Sequence, residues 1–208
     1  MKIEWIFFDV GSTLVDETLA YDNRAIDMIE NTNITFNEFA QKRLELAKLG
    51  YDGNSTAIKF FGLEKTPWRT EDEFLYNDAP YVLEKLKSTG YKLGIIANQQ
   101  AGLEQRLDKW RISKYFDVIV SSYDAGVSKP DKKIFFKAIE KAGAKPQDCL
   151  MIGDRLDNDI IPAKEIGMKT IWIKQNLASF QSDMLGDGYA DFIVYSLSEL
   201  CDILIKEI

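Results

Sequence analysis

Six short apolar runs punctuate the chain, at residues 3–8, 92–97, 117–121, 149–152, 169–173 and 191–194. None alternates apolar with polar positions, as a strand with one wet face would. Each is apolar nearly throughout, which suits parallel strands covered on both faces. Helix-length segments lie between them. Residues 79–89 stop at Gly90, residues 131–142 at Gly143 and residues 159–166 at Gly167, with a further helix predicted over 103–110. Ser196 with Glu199 predicts a capping box for a last helix running toward Ile205. Regular alternation of strand and helix implies right-handed crossovers and a doubly wound, mostly parallel α/β sheet.

One stretch interrupts that rhythm. From Asp16 to about Tyr76 there is no strand-like run, only helical patterns. Thr35 and Glu38 form a second capping-box pattern, after which Phe36, Phe39, Ala40, Leu44 and Ala47 fall on one helix face. Thr70-Glu71-Asp72-Glu73 reads as another helix start. The segment is too long for a loop, so a separate helical domain is expected at 16–78, inserted into an α/β core of 1–15 and 79–208. Tyr51, Phe60, Phe61, Trp68 and Phe74 are expected in its core.

Composition narrows the chemistry. The 208 residues carry a net charge of −7, which disfavours nucleic acid and anionic membranes as partners, since phosphate backbones need a basic footprint. There is no histidine, so Ser-His-Asp and Cys-His triads and His-ligated zinc are excluded. Cys149 and Cys201 sit in apolar surroundings without metal-ligand spacing and read as free thiols of a reducing compartment. No apolar run approaches the roughly 20 residues of a membrane span, and Met1-Lys2-Ile3-Glu4-Trp5 lacks a signal-peptide layout. A cytoplasmic protein is expected. Nothing in the sequence decides its oligomeric state.

Ligands of open α/β sheets bind at the carboxyl ends of the strands. Those ends carry Asp9, Ala97-Asn98, Ser121-Ser122 and Gly153-Asp154, with Asp159 about one helical turn further on. Converging carboxylates without histidine suit a hard, oxygen-liking cation, most plausibly Mg²⁺. Lys129, just before Pro130 and the predicted helix of 131–142, is placed near an anion-favouring helix start.

The ordered set Phe7-Phe8-Asp9-Val10-Gly11-Ser12-Thr13-Leu14, Gly94-Ile95-Ile96-Ala97-Asn98, Ser128-Lys129-Pro130-Asp131 and Gly153-Asp154-Arg155-Leu156-Asp157-Asn158-Asp159-Ile160 resembles the haloacid dehalogenase superfamily over essentially the whole chain. The resemblance implies a Rossmann-like core, with the helical insertion as a C1 cap. Asp9 would then be the nucleophile that becomes an aspartyl-phosphate, and Lys129 would steady Asp9 and the phosphoryl group. Asp9, the Gly11 carbonyl, Asp154 and Asp159 would hold Mg²⁺, while Ala97, Asn98 and Lys129 would surround the phosphate. The implied activity is hydrolysis of a small phosphorylated metabolite. Three carboxylates against Mg²⁺ and one lysine leave such a site near neutral, which eases attack on a phosphate dianion.

Two positions depart from the family pattern. Gly11 stands where phosphatases of the family carry a second Asp as general acid/base, and Ala97 where they carry Ser or Thr. A missing acid/base typically costs about 10²–10⁴ in rate. Unless Asp16, Glu17 or a cap residue compensates, turnover is slow, and the alternative is a protein that binds a phospho-ligand or partner in a regulatory role. On this reading Gly11→Asp raises activity if only the acid/base is missing.

Overall fold

The computed structural model describes residues 3–181 and 187–205. The outermost residues of the core as delimited from sequence, and residues 182–186, lie outside this set. In chain order the elements are β1 (Trp5–Phe8), β2 (Val15–Asp16), α1 (Thr18–Ile29), α2 (Phe36–Lys48), α3 (Gly53–Phe60) and β3 (Phe74–Leu75). Then come α4 (Ala79–Ser88), β4 (Lys92–Ala97), α5 (Leu103–Lys109), β5 (Val118–Ser121), α6 (Ser122–Ala125) and α7 (Lys132–Ala142). The chain continues through β6 (Cys149–Gly153), α8 (Ile161–Glu165), β7 (Lys169–Ile173), β8 (Phe192–Val194) and α9 (Glu199–Leu204).

Six strands form one sheet in the order β5-β4-β1-β6-β7-β8, all pairs parallel. All six apolar runs are strands of it. The lack of alternation has a direct cause in β1, which has both faces buried. Ile6 and Phe8 point into a core with Leu83, Leu86, Leu107 and Leu200 from α4, α5 and α9. Trp5 and Phe7 point into a second core with Ile134, Phe135, Ala138 and Ala163 from α7 and α8. The first strand opens at Trp5 rather than Ile3, and its carboxyl end lies at the centre of the sheet between those of β4 and β6.

Between β2 and β3 lies a helical layer with its own core of Ala25, Met28, Ile29, Phe39, Ala57 and Ile58. The Thr35 capping box forms as predicted, with Thr35 Oγ1 accepting from the Glu38 N–H and the Thr35 N–H donating to Glu38 Oε2. Other expectations for this stretch fail. Thr70–Asp72 is a single 3₁₀ turn leading into β3, which pairs antiparallel with β2. Two paired residues per strand are too few to leave a periodic trace. Tyr51, Phe60 and Phe74 are exposed, whereas Phe61 packs beside the helical core and Trp68 stacks edge-on with Tyr21.

Two further helix starts differ. The segment 159–166 is a π-type turn, Leu156–Ile160, followed by the short α8. At the last helix Ser198, not Ser196, is the cap residue, and it makes no side-chain capping bond. Glu199 instead reaches back to accept from the Tyr195 N–H and Ser196 Oγ. No helix among the described residues is long and apolar enough to cross a membrane.

Candidate active site

Asp9 leaves the end of β1 with its N–H bonded to the Ile152 carbonyl of β6. The following turn is drawn tight by the Val10 carbonyl, which accepts from the N–H groups of Thr13, Leu14 and Val15. On the neighbouring strand, β6 runs into Asp154, whose carbonyl accepts from the buried Trp172 indole N–H at 2.6 Å. The π-type turn then swings Asp159 back toward the strand end, where Asp159 Oδ2 accepts from the Arg155 N–H at 3.1 Å. This return needs a glycine: a Cβ on Gly153 would sit 2.5 Å from Asp159 Cγ.

The three carboxylates that the sequence places at strand ends are thereby brought together. Asp9, Asp154 and Asp159 each offer an oxygen within 4.8 Å of the others, and all three residues are buried. Lys129 reaches them from the loop before α7, which passes through a cis Lys129–Pro130 peptide with Asp131 as the helix cap. Its fully buried Nζ donates to Asp9 Oδ1 at 2.5 Å and to Asp159 Oδ1 at 2.6 Å. The helix itself starts only at Lys132, so ion pairing rather than a helix terminus defines the surroundings of Lys129.

Asn98 is found in a role the sequence did not suggest. Its Oδ1 accepts from the Lys129 N–H at 2.8 Å and its Nδ2 donates to the Lys129 carbonyl at 2.9 Å. The side-chain amide thus clamps the lysine's backbone with both of its atoms. Ala97 is fully buried and contributes no side-chain donor. Thr13, on the Asp9 turn, has a buried hydroxyl with no hydrogen-bond partner among the described residues.

Electrostatics in this cluster are dominated by crowding of like charge away from water. Burial, then Asp159 and Asp9, hold the Asp154 carboxyl well above the ordinary carboxylate range. Burial pushes Asp159 up to about 6 against the opposing pull of Lys129, with Asp9 adding to the rise. Burial alone would lower Lys129, but Asp159 and Asp9 outweigh it and keep its ammonium above the usual value. A divalent cation among these oxygens would relieve the repulsion, and carboxylate oxygens are donors that suit a hard cation such as Mg²⁺. The residues fit such an ion.

Of the acids named from sequence as able to compensate for Gly11, Glu17 is the one whose carboxyl stands beside it. It follows β2 at the entrance to the helical layer, is only 8% exposed, and turns its carboxyl toward Gly11. A Cβ built on Gly11 would fall 2.5 Å from both Glu17 oxygens. Burial first, then Asp9 and Glu73, raise its carboxyl to about 8, with Arg106 opposing. Glu73 accepts from the Trp68 indole at 2.6 Å and lies 3.7 Å from Arg106 Nε.

Two cavities lie between the helical layer and the sheet, sharing Tyr21 and Asn54 in their walls. One of about 190 Å³ is bounded by Glu17, Trp68, Asn98 and Gln99. The other, about 220 Å³, reaches Ser12, Asp52, Asp154 and Arg155. Arg155 spans the two parts of the molecule, donating to Asp52 of the helical layer at 2.9 Å while forking onto Asp157.

The ordered motifs, the single parallel sheet and the carboxylate–lysine cluster agree with a comparison against known families, in which haloacid dehalogenase-like hydrolases match residues 6–173. The chain belongs to that family. It is 30% identical to the glyceraldehyde 3-phosphate phosphatase of Pyrococcus furiosus, over 99% of this chain and 95% of that one. A phosphoglycolate phosphatase of Aquifex aeolicus is 35% identical over 62% of this chain and 58% of its own. Among solved structures, the HAD phosphatase of Thermococcus onnurineus superposes with a TM-score of 0.67 at 30% identity, covering 98% of both chains. The protein is a family hydrolase of the phosphatase kind.

Proposed function

We propose that the protein hydrolyses a small phosphorylated metabolite, with Mg²⁺ bound and Asp9 as the group that accepts the phosphoryl. The observation that carries this reading is the position of Asp9, with Lys129 Nζ at 2.5 Å and Asp154 and Asp159 within 4.8 Å. Asp9, Asp154, Asp159 and the Gly11 carbonyl would hold the ion, which supplies charge neutralisation at the phosphoryl oxygens. Lys129 would hold one Asp9 oxygen in place by its hydrogen bond, leaving the other to attack phosphorus as the ester oxygen departs. Water then attacks the aspartyl-phosphate and regenerates the carboxylate. Lys129, with the backbone at 97–98, would cradle the phosphoryl group, and Asn98 would serve by holding Lys129 in place. Residues 16–78 would act as a cap that excludes water and selects the substrate.

A short-chain alkyl phosphate is the substrate class we favour. Relatives named for glyceraldehyde 3-phosphate and for phosphoglycolate support it, as does the modest size of the cavity beside Asn98. The test is a panel of phosphate esters assayed with Mg²⁺, with and without a chelator. Fastest turnover is expected on two- and three-carbon alkyl phosphates, abolished by the chelator and by Asp9→Asn. Undiminished activity in Asp9→Asn contradicts the reading.

A further inference from the structure

Gly11 removes from the nucleophile turn the carboxyl that resembling phosphatases use to move protons, yet the space is not vacant. Gly11 is not among the glycines with positive φ, so its backbone does not itself demand glycine. The space that a side chain at position 11 would enter is taken by Glu17, whose two carboxylate oxygens each lie 2.5 Å from where a Cβ would stand. This carboxyl makes no hydrogen bond among the described residues, although its residue is more than nine-tenths buried. It also borders the 190 Å³ cavity that Asn98 and Gln99 reach from the end of β4. A paired structural acid would be tied down by donors. Here the Lys129 ammonium goes to Asp9 and Asp159, and Arg106 stands nearest Glu73.

We infer that Glu17, entering from the start of the helical layer, supplies the acid/base carboxyl that position 11 lacks. The inference rests on the phosphatase reading and adds to it the source of the protons. In the first half-reaction an Asp9 oxygen bonds to phosphorus, the bond from phosphorus to the ester oxygen breaks, and the Glu17 carboxylic acid gives its proton to the departing alkoxide. In the second, the Glu17 carboxylate takes a proton from water as the water oxygen bonds to phosphorus. The Asp9–phosphorus bond breaks, inorganic phosphate leaves, and both side chains return to their starting states. The glycine and the glutamate are then one device. An aspartate at position 11 and a glutamate at 17 would compete for the same volume, so Gly11→Asp alone is expected to impair the enzyme rather than improve it.

The test compares wild type, Glu17→Gln, Gly11→Asp, Glu17→Ala and the double variant Gly11→Asp/Glu17→Ala. Each is assayed with Mg²⁺ on glyceraldehyde 3-phosphate, an alkyl ester, and on p-nitrophenyl phosphate, whose leaving group departs without a proton. Glu17→Gln keeps the size of the side chain and is expected to lose about 10²–10⁴ of kcat on the alkyl ester. On the aryl ester it should release one rapid equivalent of nitrophenol and then stall, with the phosphoryl group on Asp9 visible by intact mass. The double variant should exceed Glu17→Ala at least tenfold on the alkyl ester, while Gly11→Asp alone falls below wild type. A Glu17→Gln enzyme within threefold of wild type on the alkyl ester overturns the inference, provided wild-type activity is lost in Asp9→Asn. So does a double variant no better than Glu17→Ala. A wild type that hydrolyses neither ester and takes no phosphoryl group from acetyl phosphate overturns the phosphatase reading, and this inference with it.

Discussion

Two neighbouring strands, β1 and β6, end in the same local design and put it to different uses. Each has a glycine within two residues of the aspartate at its carboxyl end, and the space beside each glycine is filled from six residues further on by an acidic side chain: Gly11 by Glu17, Gly153 by Asp159. At β6 the returning carboxylate is fully tied, accepting from Lys129 Nζ and from the Arg155 N–H. At β1 the returning carboxylate accepts nothing among the described residues and faces a cavity. A buried acid held by two donors is a fixed charge suited to supporting a cation. A buried acid without donors is one whose proton is free to move. The same packing solution therefore yields a structural anion at one strand end and a mobile proton site at the other.

This contrast can be broken at several points, beginning with the common reference. Asp9→Asn should lower phosphate-ester turnover by about 10⁴–10⁶, because the attacking group itself is removed; a coupled phosphate-release assay reads this directly. The two returning acids should then separate by stability. Asp159→Asn strips the buried Lys129 of one of its two partners and is expected to cost on the order of 3 kcal/mol in urea unfolding. Glu17→Gln breaks no hydrogen bond among the described residues and removes a buried carboxyl held above its ordinary range, so it should not destabilise the protein near pH 7. Equal destabilisation by the two variants would erase the distinction drawn here.

The pH dependence has a definite sign. In the metal-free protein Glu17 is raised to about 8 and Asp159 to about 6. Between roughly pH 4.5 and 8 the folded protein therefore holds protons that the unfolded chain has released, and stability falls as pH rises through that window. Mg²⁺ should raise the melting temperature more at pH 8 than at pH 5, since the carboxylates it binds are then ionised. Scanning calorimetry with and without the ion checks both statements. Smallest of all, Arg155→Ala removes a half-exposed link to Asp52 and should cost about 1 kcal/mol or less, with KM rising about threefold as the helical layer loosens.

What could be read along the chain follows from how local each signal is. Doubly buried strands such as β1, β4 and β6 announce themselves as apolar runs, whereas a single carboxylate or lysine after one is more often a cap or a surface charge, and only the ordered set of motifs singles the four residues out. The clustering of Asp9, Asp154, Asp159 and Lys129 was legible from that order. The β2–β3 pair was not, because two residues carry no period. Asn98 was read for its donors near a phosphate, but its amide is matched to the peptide of Lys129, a partner 31 residues away. Glu17 was one of several acids near Gly11, and only the path of the chain out of β2 shows which of them fills the gap. The exposure of Tyr51, Phe60 and Phe74 was likewise hidden, since composition cannot tell an aromatic in a core from one on a rim.

The account turns on Asp9 as the phosphoryl acceptor of a cation-loaded site, and that can be observed without knowing the substrate. Wild type and Glu17→Gln are incubated with acetyl phosphate and Mg²⁺, quenched in acid, and measured by intact and peptide mass spectrometry. One added phosphoryl group is expected on the peptide containing Asp9, more abundant in Glu17→Gln, and absent in Asp9→Asn or after chelation. A phosphoryl group on another residue, or none on Asp9 while ester hydrolysis proceeds, would contradict it.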